Sequence, residues 1–207
     1  MSRSKAKTGD LVAIYADESC LGNGREGENP GGAGGLIEWL HPKSTEVARC
    51  DYWIAEPSTT NNRMALRSVI EAFHEISRRG NSYRVIFTSD SKYIVEGMSS
   101  WVAGWMARGW KRKTGPIENL ELWKQAVDAV AQHEVQWRWV RGHVGHPQNE
   151  YANFLATRAA ADQTSSAGLK QSEFESWVAK QKAGAVKETA PFPDLQSFQP
   201  SKRAWTI

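Results

Sequence analysis

A chain of 207 residues with 40% hydrophobic content suits one domain of ordinary size with a real core, plus a tail. Its 26 Lys and Arg against 23 Asp and Glu leave a net charge of +3, too mild to name a nucleic-acid partner by itself. Two cysteines, Cys20 and Cys50, argue against a disulfide framework or a metal knuckle; no stretch could span a bilayer, and the basic start "MSRSKAKTGD" lacks the apolar run of a secretion signal, so a cytoplasmic protein is expected.

Residues 1–10 read as a basic extension. "LVAIYA" (11–16) is a β-rich run that stops at the acidic pair Asp17 and Glu18, and glycines crowd a loop from Gly22 to Gly35. "GLIEWL" and "EVARCDYWI" are two further strands, which makes the first third an antiparallel meander. In "TTNNRMALRS" the threonines and asparagines are good N-caps for a helix from Asn61 to about Arg79. Its apolar residues Met64, Leu66, Val69, Ile70, Phe73 and Ile76 recur at helical spacing, and Gly80 supplies a stop. The same stretch offers amide donors and Arg63 at the positive end of a helix, where a phosphate would sit, so capping and gripping both remain open.

"YRVIFTSD" returns to strand and ends in Asp90. Helical segments follow in "YIVEGMSSWVAGWMARGW" and "IENLELWKQAVDAVAQH", separated by the basic "KRKTGP". "VQWRWV" is the last strand, and it leads through "RGHVGHPQNE" into a helix over "YANFLATRAAAD". The pattern is α/β. Trp39, Trp53, Trp137 and Trp139 are read as core or sheet-face packing. After Asp162 the texture turns to Ser, Gly, Lys, Gln and Pro. Residues 163–207 are therefore expected to be a largely disordered tail with a short helix around "SEFESWVAKQK", either merely solvated or carrying a peptide that docks a protein partner.

Two strands end in aspartate, Asp17 and Asp90, where an α/β sheet places its ligands and where two carboxylates could converge on a divalent cation. A strand-terminal Asp alone is more often a turn former. The third element strengthens the metal reading: a Gly-rich loop with His143 and His146, which could move protons in hydrolysis beside such a site.

The ordered stretches "ADESCLGN", "TTNNRM", "SDSKYIVEGMSSWVAGWMARGWK", "NLELWKQ" and "WRWVRGHVGHPQNE" resemble bacterial ribonuclease HI over roughly residues 11–161. The resemblance implies a ribonuclease H-like domain over 11–162, a five-stranded mixed sheet flanked by helices, and endonucleolytic cutting of the RNA strand of an RNA/DNA hybrid with Mg²⁺, or Mn²⁺ as the alternative. It implies hybrid contacts at Asn23, Thr60, Asn61 and Asn62, the first near the RNA 2′-hydroxyls. It also implies a basic protrusion along the DNA strand, with Trp101, Trp105, Lys111, Arg112 and Lys113 as candidates. A monomer is expected, with no membrane partner.

The family holds two metal ions with four carboxylates. Asp17 and Asp90 match the first and third, but the helix glutamate is replaced by Ala65 and the last aspartate by Asn153, which keeps one carbonyl oxygen and loses a charge. Three readings stay open. Glu18, beside Asp17, has replaced the missing carboxylate, although strict strand alternation points it away unless the strand bulges there. Cleavage has been lost, which leaves a module that binds hybrid or RNA. Ala65 and Asn153 were engineered to trap substrate. The expected site is Asp17, Glu18, Asp90 and Asn153 as metal ligands, with His143 assisting, and with catalysis weakened by the two replacements.

Overall fold

The computed structural model describes residues 10–22, 28–40 and 46–201. β1 (Leu11–Cys20), β2 (Gly31–Leu40) and β3 (Val47–Glu56) form the antiparallel meander, and α1 (Asn61–Ser77) follows. β4 (Arg84–Ser89) leads into α2 (Lys92–Glu96), a π-helical turn (Gly97–Trp101) and α3 (Val102–Ala107). Next come α4 (Leu120–Val130), β5 (Glu134–Trp139) and α5 (Pro147–Asp162). A two-residue strand β6 (Lys170–Gln171), the short helix α6 (Phe174–Ala179) and a 3₁₀ turn (Leu195–Ser197) complete the described chain.

The strands make one mixed sheet in the order β5-β4-β1-β2-β3-β6, with β1, β4 and β5 mutually parallel. It has six strands where five were expected, because β6 adds to β3 through Cys50↔Gln171 and Asp51↔Lys170. Alternation along β1 sorts its side chains. Val12, Ile14 and Ala16 enter a core with α1 and α4 residues such as Leu66, Phe73 and Trp123, while Ala13 and Tyr15 pack with Tyr151, Leu155 and Phe174 on the other face.

Two expectations about β1 and β2 need correction. β1 does not stop at the acidic pair: its pairing with β2 runs without interruption through Asp17↔Gly34, Glu18↔Ala33, Ser19↔Gly32 and Cys20↔Gly31, so there is no bulge. Nor are the glycines from Gly31 to Gly35 loop; they lie in β2. For Gly32 and Gly34 the physical reason is α5, which rests directly on them, whereas Gly31 meets Thr59 and Gly35 the Tyr52 ring. A Cβ on Gly34 would stand 2.6 Å from Leu155 Cβ, and one on Gly32 would overlap the Ala156 carbonyl.

The segment after Asp162 also departs from the expected disorder. Phe174 is buried against Tyr151, and Asp51 fastens the segment by accepting from Tyr151 Oη at 2.6 Å and from the Glu173 N–H at 3.3 Å. Arg49 links Glu38 of β2 to Glu175 of α6, each at 2.7 Å. The chain then crosses to the opposite side of the sheet, where the Ser201 N–H donates to the Val135 carbonyl at 2.9 Å and the Trp137 N–H to Ser201 Oγ at 3.4 Å. Residues 163–201 thus form a strap from one border of the sheet to the other.

Candidate active site

Tyr15 pairs with Thr88, so two residues further on Asp17, still within β1, comes level with Asp90, just beyond the end of the parallel strand β4. Asp17 belongs to the α5 face of β1 and is buried. Its Oδ1 accepts the Glu18 N–H at 2.7 Å, and its Oδ2 accepts Asn149 Nδ2 at 3.3 Å. Glu18, the next residue in an unbroken strand, belongs to the α1 face with Val12, Ile14 and Ala16. Ala65 is buried on that same face.

The carboxylates feel one another. Burial first, then the Asp90 and Glu18 charges, push Asp17 up to about 9. Burial and the Asp90 charge push Glu18 up to about 8, against a hydrogen bond from Ser91 that favours its anion. Asp90 is raised as well, chiefly by burial, and His143 opposes that rise. Among the described residues no Lys, Arg or His forms an ion pair with any of the three. Nor are three or more His, Cys, Asp and Glu side chains drawn tightly around one point. The donor set nevertheless fits a hard divalent cation: it is all oxygen, it is half-buried or deeper, and its mutual repulsion is the kind that positive charge relieves. Asn153 lies one turn beyond Asn149 on the same side of α5 and would add a neutral oxygen.

The loop between β5 and α5 brings the histidines in. Gly142 is required there, because any Cβ would overlap Asp90 Oδ2. His143 takes a left-handed conformation (φ +54°), leaves its side chain 75% exposed and puts Nδ1 4.0 Å from Glu150 Oε2. His146 has a different task. It is the N-cap of α5, its Nδ1 accepting the Asn149 N–H at 3.5 Å, and burial holds its pKa down. Two residues near the cluster were not anticipated, Asn149 and Glu150. Both lie on the first turns of α5, and a helix read as starting at Tyr151 conceals them.

The expected hybrid contacts divide. Thr60 is the N-cap of α1, its hydroxyl accepting the Arg63 N–H at 3.4 Å, and Asn62 and Arg63 are exposed beside it. Asn61 Oδ1 is buried without a hydrogen-bond partner. Lys111, Arg112 and Lys113 are exposed after α3. Trp101 and Trp105 are partly buried and pack on Trp123, at ring-centroid distances of 6.4 and 5.5 Å. Trp139, expected to pack on the sheet, is 45% exposed; its Nε1 donates to the Asp90 carbonyl at 3.0 Å and Lys92 lies over its ring. Asn23 lies outside the described residues.

A mixed sheet covered by helices, with carboxylates level on two adjacent parallel strands and a histidine loop beside them, defines a phosphodiester hydrolase of the ribonuclease H-like class. The chain belongs to the ribonuclease H family, whose model matches residues 9–161. It is a nuclease of the ribonuclease H type. It is 42% identical to Ribonuclease H of Stutzerimonas stutzeri over 150 residues, 72% of this chain and 91% of that one. It is similarly 42% identical to Ribonuclease H of Aromatoleum aromaticum over 151 residues, 72% of this chain and 90% of that one. The crystal structure of LC9-RNase H1, described as "a type 1 RNase H with the type 2 active-site motif", superposes with a TM-score of 0.89 at 59% identity, covering 96% of this chain and 95% of that chain.

Proposed function

We propose that this chain hydrolyses the RNA strand of RNA/DNA hybrids at a cluster of Asp17, Glu18 and Asp90, with Glu18 standing in for the helix carboxylate that is missing at Ala65. The observation that carries this is the register of β1: without a bulge, Glu18 falls on the α1 face, the face on which Ala65 is buried, while remaining within the field of Asp90. Strand alternation, which at first sight turns Glu18 away from the site, is what delivers it to the Ala65 side. The description of LC9-RNase H1, a protein 59% identical to this one, supports a displaced motif of this kind.

A divalent cation, Mg²⁺ with Mn²⁺ as the alternative, supplies activation of water and stabilisation of the leaving oxygen when bound. Asp17, Glu18 and Asp90 would hold it, with Asn153 as a neutral fourth donor. Three carboxylates instead of four leave one negative charge fewer, so weaker cation affinity and slower turnover than in a four-carboxylate site are expected. Asn149 fixes the Asp17 carboxylate by its hydrogen bond to Oδ2. His143, exposed on its loop near Asp90, is free to carry a proton between the site and solvent. Thr60, Asn61, Asn62 and Asn23 grip the hybrid, and Lys111, Arg112 and Lys113 take its phosphates.

The test is hybrid cleavage by the parent, Glu18→Gln and Asp17→Asn, each with Mg²⁺ and with Mn²⁺. Both variants should lose about 100-fold or more, because each removes a ligand charge from one cluster. A Glu18→Gln protein that cuts as well as the parent would sink the substitution of Glu18 for the missing glutamate. A parent that binds hybrid without cutting it would leave only the binding-module reading.

A further inference from the structure

The strap is hydrogen-bonded to the active-site loop at Gly145. Gly145 is held from both sides: its N–H donates to Glu150 Oε1 at 3.1 Å, and its carbonyl accepts the Lys187 N–H at 2.7 Å. The contact is close and made by backbone, since a Cβ on Gly145 would stand 3.3 Å from the Ala185 carbonyl oxygen and 3.5 Å from Lys187 N. Two residues earlier, His143 keeps a backbone conformation that a non-glycine residue holds only when its surroundings fix it (φ +54°). Glu150 also faces His143, with 4.0 Å between Oε2 and Nδ1. Around this point the strap and loop are parted by a cleft of about 310 Å³, bordered by Arg141, Val144, Pro147, Lys187 and Glu188. The Gly145–Lys187 hydrogen bond lies at the border of this cleft.

We propose that the strap, through the Lys187 N–H, and Glu150 from α5 together position the loop that presents His143 to the Asp90 end of the cluster, so that backbone beyond the family domain positions this loop. The proposal rests on the hydrolytic reading above. Neither Lys187 nor Glu150 touches substrate in it; Lys187 acts through the backbone of Gly145, and Glu150 through that backbone and directly beside His143. The strap's side chains matter less here than its one N–H, which gives a way to separate positioning from charge.

In the full-length protein, Lys187→Pro removes that N–H, whereas Lys187→Ala keeps it and removes only the ammonium. For Lys187→Pro, kcat for hybrid cleavage should fall about tenfold, the scale of one hydrogen bond, with KM within about twofold of the parent. Lys187→Ala should stay within about twofold in both. In a His143→Ala background Lys187→Pro should cost nothing further, because the two act in series. Independently of activity, hydrogen exchange of the metal-free chain should show faster exchange over residues 141–150 in Lys187→Pro, with the strands unchanged. Glu150→Ala releases Gly145 from the other side without altering the backbone, and should reproduce the pattern if Lys187→Pro perturbs folding. Unchanged kcat, an equal loss in the His143→Ala background, or unchanged exchange over 141–150 would each overturn the proposal. If the parent fails to cut hybrid, the hydrolytic reading falls, and the exchange measurement decides the strap's role on its own.

Discussion

Replacing Asp17 by asparagine should abolish cleavage and yet make the metal-free protein more stable at about pH 8. The Asp17 carboxyl is raised from 3.8 to about 9 in the folded chain, so between those values the folded state holds a proton that the unfolded state has released. Folding then takes up a proton, and stability declines as pH rises through that window. About pH 8 is roughly four decades above 3.8, which at about 1.4 kcal/mol per decade sets a ceiling near 6 kcal/mol. Water entry and relaxation of Asp90 and Glu18 bring the expected gain to on the order of 2–4 kcal/mol. Asparagine imitates the protonated acid and keeps both hydrogen bonds. Its Oδ1 can still accept the Glu18 N–H, and a flip of Asn149, whose Oδ1 is buried without a partner, would let that oxygen accept from the new amide. Urea unfolding in a chelator at about pH 8 and about pH 5 measures the difference, which should shrink to roughly 1 kcal/mol at the lower pH. Added Mg²⁺ should stabilise the parent more than the variant. An Asp17→Asn protein no more stable than the parent at about pH 8, or a difference that ignores pH, would refute the account of these carboxylates as mutually repelling.

Ala65→Glu alone should not improve cleavage and should cost on the order of 2–4 kcal/mol, since it buries a second carboxylate on the face Glu18 occupies; with Glu18→Ala added, stability and cleavage should return together. A single Ala65→Glu variant that cuts faster than the parent would contradict the assignment of Glu18. Changing Lys111, Arg112 and Lys113 to alanine should weaken hybrid binding regardless of base sequence and reduce the log–log salt slope by about 2–3, measured by titration at several salt concentrations. Phe174→Ala should lower unfolding stability by about 3 kcal/mol or more, because the ring is buried against Tyr151; a loss below about 1 kcal/mol would mean the strap is only loosely attached.

Much of the fold was legible because its signals are local. The strand that ends before Asp90, the helical spacing from Met64 to Ile76 and the cap at Thr60 all depend on neighbours in the chain. What escaped depends on neighbours in space. Gly32 and Gly34 of β2 look like loop until α5 is known to lie on them. Glu18 looks misdirected until the face it joins is known to be the one that carries Ala65. Trp101 and Trp105 carry the composition of a nucleic-acid surface but find Trp123 beneath them. The strap is polar enough to read as disordered, and it is fixed by a few long-range contacts, Asp51 with Tyr151 and Phe174 on the core, that no local pattern announces.

The route of the strap has a consequence for how the protein behaves in a crowded solution. A sheet that terminates in unpaired peptide groups invites a second molecule to extend it, the first step toward edge-to-edge aggregation. Here the end of the chain answers both outer strands: β6 pairs with β3, and Ser201 engages Val135 and Trp137 on β5. The same segment that reaches the histidine loop therefore also closes the two borders at which strand addition would begin. Release of the strap would open both at once, so colloidal stability and the geometry of the active-site loop are tied to a single stretch of chain.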